Sequence, residues 1–151
     1  MTYLLWALQA LLGLGFLMSG LMKVTQPVGA LAIQMEWAAA VPEGLIRFIG
    51  IAEVLGGVGL IAPAVTRILP RLTPLAAAGL ALNMLLATVF HLTRGEPLMG
   101  ALTLALGALA ALVAYGRWVV VPIRPRDAPS PGHQTVKRNR RRGMSGASVL
   151  T

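Results

Sequence analysis

The chain has 151 residues, 56% hydrophobic and only 12% charged, with a mean hydropathy of +0.74. A soluble domain covers its surface with charge on about a quarter of its residues, so this composition excludes an ordinary soluble fold and points to a bilayer as solvent. The absence of cysteine removes any disulfide framework, thiol nucleophile, CxxC pair or thiolate metal ligand, and the formal charge of +8 is concentrated at the C-terminus, where seven Lys/Arg follow Ile123 against Asp127 alone.

The first apolar run covers about residues 4–22, close to the roughly 20 residues a helix needs to cross the hydrocarbon core. Its Met1-Thr2-Tyr3 start has no positive side chain and the run is longer than a signal-peptide core, so it is expected to be retained as a membrane helix. The mostly apolar stretch from Pro27 to Trp37 is too short to span and too apolar for a free loop. It predicts a short interfacial helix with Trp37 at headgroup level. Three further runs follow, at about 45–62, 75–92 and 98–121. Pro42, Pro74 and Pro97 stand before or at helix starts, whereas Pro63 and Pro122 follow helix ends. None of the runs carries the charged stripe of a soluble amphipathic helix. The fold class is therefore all-α, a four-helix transmembrane bundle occupying residues 1–122. Residues 123–151, rich in Pro, Gly, Ser and Arg, predict a disordered basic tail.

Lys/Arg bias in the short loops sets the orientation. One side collects the N-terminus, Arg67, Arg71, Arg117, Arg124, Arg126 and the tail; the other holds Lys23, Arg47 and Arg94. The expectation is a plasma-membrane protein with both termini cytoplasmic. In the tail, Lys137, Arg138, Arg140, Arg141 and Arg142 have no aromatic interleaving, which disfavours nucleic acid; contact with anionic lipid is the simpler account, at about 1 kcal/mol per basic residue.

Glu53 is the most informative side chain. It lies roughly 12 Å below the outer end of the second span, where an ionisable group costs several kcal/mol unless paired, protonated or next to water. Asn83 on the third span lies at similar depth and is expected to meet it. The bland reading is an interhelical hydrogen bond to a protonated Glu53; the functional one is a proton-accepting or ligand-orienting group. Lys23, Arg47 and His91 fall at or near the outer ends of spans one to three and complete a polar pocket with Glu53 and Asn83. Taken singly, Lys23 and Arg47 are expected to snorkel to the headgroups. One membrane histidine cannot supply bis-histidine haem ligation, and no metal-ligand spacing is present, so no metal site is expected. Gly13-x-Gly15 and Gly56-Gly57-x-Gly59 suit close helix approach, and Gly100, Gly107, Ala108 and Ala111 suggest a closely packed fourth helix, with another subunit or a second copy as a candidate partner.

Gly20-Leu21-Met22-Lys23-Val24, the segment from Arg47 through Glu53 to Pro63, and Pro70-Arg71-Leu72-Thr73-Pro74 continuing to His91 resemble the DoxX-like membrane protein family. The resemblance covers roughly Leu4 to Gly116 and leaves out the tail. It implies a four-helix membrane bundle. Because the family's namesake is associated with a thiosulfate:quinone oxidoreductase and other relatives with membrane redox complexes, it also implies a site for a quinone head group or another small ligand beside Lys23, Glu53 and His91. The chain offers no redox centre, nucleophile or metal site of its own. It therefore reads as an accessory subunit of a quinone-linked complex rather than an enzyme in itself. The alternatives are a small-solute or proton-coupled carrier and a noncatalytic assembly protein.

Overall fold

A computed structural model describes residues 2–126, without the side chain of Thr2. The tail cluster, Lys137 to Arg142, and the disorder expected of the tail lie outside the described residues. The chain forms α1 (Thr2–Thr25), α2 (Val28–Gln34), a 3₁₀ turn (Glu36–Ala40), α3 (Glu43–Thr66), α4 (Leu72–Thr93), α5 (Pro97–Tyr115) and a π-helical turn (Gly116–Val120). Four of these helices are long and apolar enough to cross a membrane. They run alternately up and down. The α1–α2 and α4–α5 connections lie at one end, here the Trp37 end, and both termini at the other, the terminal end.

Polarity is distributed as a bilayer requires. Leu4 and Leu11 of α1, Leu55 of α3, Leu86 of α4 and Leu98 of α5 are all exposed, while Gln9, Lys23, Glu53, His91 and Arg117 are buried. In water such an arrangement would leave apolar patches far beyond those of a soluble monomer. The chain is a multi-pass membrane protein.

Glycine sets the spacing of α1 and α3. A Cβ on Gly20 would come within 2.6 Å of the Gly50 carbonyl oxygen, and one on Gly57 within 2.7 Å of the Gly13 carbonyl oxygen. The two crossings are seven residues apart on each helix, so one antiparallel register satisfies both, and the backbones touch as small residues allow in membranes. Gly56 faces Leu80 of α4 instead, and Gly59 faces Ala76, so α3 packs on both neighbours. Gly15 meets nothing within 4 Å. Gly100 and Gly107 pack on Leu92 and Met84 of α4, so these two small residues of α5 are used within the chain, whereas Ala108 and Ala111 are exposed.

Three boundaries differ from the sequence expectation. Pro63 does not follow a helix end; it lies buried inside α3, which continues to Thr66 and ends on Arg67 in the left-handed region (φ 58°). Proline leaves the Gly59 carbonyl without its amide donor, and the Gln9 amide donates to the adjacent Leu60 carbonyl. The fourth span leaves α-geometry at Gly116, where Leu5 of α1 comes within 2.8 Å of a built Cβ. The segment after the first span is two short helical pieces broken at Met35. It is held to the bundle by a small core of Leu31, Ala38 and Ile46.

The main core, Leu12, Phe16, Leu60, Ala77, Leu80, Met84, Ala110 and Val113, fills the bundle centre. α1 packs along α3, α3 on α4, and α4 along α5, whereas α1 and α5 meet sparingly. The π-helical turn that follows α5 adds contacts to α1 at the terminal end, Leu5 with Gly116 and Gln9 with Arg117.

Candidate functional site

The close α1–α3 crossing brings the Lys23 Cβ against Gly50, at 2.8 Å from a built Cβ there. Lys23 therefore turns across the interface rather than outward. Its Nζ donates to Glu53 Oε2 at 2.7 Å and to Ser19 Oγ, one turn earlier on α1, at 2.6 Å. The residues are 5% and 3% exposed. Each charge supplies the partner that the other needs away from water.

Arg47, six residues before Glu53 on α3, is also turned toward α1. Its Nη1 donates to the carbonyls of Lys23 at 2.6 Å and Gln26 at 2.7 Å, and its Nη2 to Glu43 Oε1 at 2.8 Å. The last carbonyls of a helix lack intrahelical donors, so Arg47 caps α1 and fixes the level at which Lys23 enters the bundle. His91 Nδ1 is hydrogen-bonded to Glu96 Oε2 at 2.6 Å, and Arg94 Nε donates to Glu96 Oε1 at 2.7 Å. The His91 hydrogen bond first, and then the one from Arg94, hold the Glu96 carboxyl below the usual carboxylate range.

Ser19, Lys23, Glu53 and His91 border a cavity of about 670 Å³ reaching from α1 and α3 to α4 and α5. Phe16, Phe48 and Phe90 supply aromatic wall, and Met35, Trp37 and Val41 of the connecting segment close its upper side. Trp37 packs edge-on to Phe90, with ring centroids 6.3 Å apart. The polar lining is small: Ser19, Lys23, Glu53, Asn83, His91 and Thr103. Asn83 Nδ2 is buried without a hydrogen-bond partner. Asn83 and Glu53 thus share a cavity wall, but the expected hydrogen bond between them is not made. Of the sequence candidates, Lys23, Glu53, Asn83 and His91 line the cavity, while Arg47 stands behind it.

Reading the sequence missed two features. Ser19, four residues before Lys23, could have been found from that spacing on one helical face. The second is a polar node at the terminal end: Arg117 Nε donates to Gln9 Oε1 at 2.8 Å, and its guanidinium stacks 4.8 Å over the Trp6 ring. Arg117, grouped above with the tail, is 3% exposed. The signal was a glutamine well inside the first apolar run.

The lining is mostly aromatic and aliphatic, with a few polar groups converging on one space, which is the general character of small-molecule sites. Among the described residues no group of His, Asp or Glu could hold a metal ion. Compared with known proteins, the chain matches one family model, that of the DoxX-like family, over residues 7–114. No curated protein and no solved structure matches it.

Proposed function

The chain belongs to the DoxX-like family, and from that premise we propose that its cavity holds a quinone head group, or a similar flat amphipathic molecule, for a membrane redox partner. The observation that carries this reading is the buried Lys23–Glu53 pair in the wall of a mostly apolar cavity of about 670 Å³. Lys23 and the unpartnered Asn83 amide supply donors for a carbonyl oxygen, and Glu53 supplies an acceptor for a hydroxyl. The aromatic wall supports a ring. Electron transfer falls to the partner, so the chain acts as an accessory subunit.

We also place the Trp37 end outside and both termini in the cytoplasm of a plasma-membrane protein. Arg67, Arg71, Arg124 and Arg126 gather at the terminal end, while all four glutamates (Glu36, Glu43, Glu53 and Glu96) belong to the other.

Asn83→Leu tests the ligand reading. It removes a buried amide nitrogen that has no partner, so thermal stability in detergent is expected to hold or rise. Co-purifying quinone, measured by solvent extraction and mass spectrometry, is expected to fall about tenfold, the equivalent of one hydrogen bond of about 1.4 kcal/mol. Wild-type protein that carries no quinone from quinone-containing membranes, or a variant that retains it fully, would overturn the quinone reading and leave the carrier and assembly roles.

A further inference from the structure

The terminal end holds a second built feature, unrelated to the quinone reading. Arg117 is buried, yet its Nη2 has no hydrogen-bond partner. A desolvated cation requires a counter-charge, and the glutamates of the described residues all belong to the opposite end. Arg117 forms part of the wall of a groove of about 640 Å³ that is also lined by Arg71, Arg124 and Trp118. The first turn of α4 contributes Pro74 and Leu75 to the same wall, adding the positive end of a 22-residue helix. Trp118 is 59% exposed and Tyr115 60% exposed beside it, as suits aromatic side chains at the level of lipid headgroups.

We propose that this groove binds the phosphate group of an anionic phospholipid, with Arg117 as the inner cation and Arg71 and Arg124 as an outer clasp. Guanidinium groups match phosphate oxygens in paired hydrogen bonds. The lipid is favoured over free phosphate because the groove opens beside exposed aromatic and apolar side chains at the end of a membrane helix. The π-helical turn at Gly116–Val120 has a role in this arrangement: it turns Arg117 inward to Gln9 while Trp118 stays outside. The lipid contact expected of the tail cluster is a different expectation.

The test is native mass spectrometry of the full chain from nanodiscs containing equal phosphatidylglycerol and phosphatidylcholine. A tail variant with Lys137, Arg138, Arg140, Arg141 and Arg142 all changed to Gln serves as the background. We expect this protein to retain phosphatidylglycerol at least fivefold over phosphatidylcholine. The exposed pair R71Q/R124Q, which leaves the buried node intact, is expected to abolish the preference without lowering the melting temperature. Excess inorganic phosphate is expected not to displace the lipid. Equal retention of the two lipids, a preference that survives R71Q/R124Q, or full displacement by inorganic phosphate would each overturn the assignment.

Discussion

Lys23 and Glu53 are worth more to each other than to the fold. Removing one partner of a buried pair strands the other charge, at a cost of about 3–5 kcal/mol, whereas replacing both with apolar residues is often neutral. K23M is therefore expected to lower the melting temperature sharply, and K23M/E53M to recover most of that loss. A double-mutant cycle in detergent measures the difference; additive effects would mean that the 2.7 Å contact carries no coupling. Glu96 makes a different prediction, because its carboxyl is held below the ordinary value of 4.5, chiefly by His91. A depressed carboxylate stabilises the fold above the unfolded-state value and loses that contribution as pH falls through the folded-state value. Thermal stability is expected to decline below about pH 4.5 in the wild type, and less steeply in E96Q. The depth of Glu53 was legible from its place in an apolar run. The capping by Arg47 was not, because its acceptors are backbone carbonyls on another helix, and these leave no mark in residue identity.

Among the elements, α1 and α3 show how small residues decide where charged ones go. Gly20 and Gly50 bring the backbones together, and only then does Lys23 reach across to Glu53. G20A would place a methyl 2.6 Å from the Gly50 carbonyl oxygen, overpacking that costs about 1–3 kcal/mol. G79A, on the open face of α4 with nothing within 4 Å, is expected to be neutral or stabilising by up to about 1 kcal/mol, as alanine is the better helix former. Thermal melts of both variants check the contrast; equal effects would remove the crossing from the account. The glycines were legible as packing residues, but their partners were not. Gly56 and Gly57 are adjacent in sequence and face different helices, a difference set by the angular position of each on α3. Pro63 misled for a related reason: proline usually marks a border, yet here tertiary packing holds the helix together past it.

At the level of the molecule, the four spans and their alternation could be read from hydropathy, since apolar length is a direct requirement of the bilayer. The cavity could not, because it depends on how four helices close around one space, a property of the three-dimensional arrangement. The proposed orientation is open to labelling, as the native chain has no cysteine. A cysteine at Ala39 is expected to react with an impermeant maleimide in intact cells, and one at Ile68 only after permeabilisation; the reverse pattern would invert the molecule. Leu11, Phe48 and Leu86 line the cavity and are also 71%, 68% and 62% exposed, so the space communicates with the flank of the bundle. A molecule using that opening would arrive by lateral diffusion in the lipid, and its occupancy would follow its mole fraction there. Weak intrinsic binding would then suffice for saturation, and titrations expressed in aqueous concentration would report partitioning together with affinity.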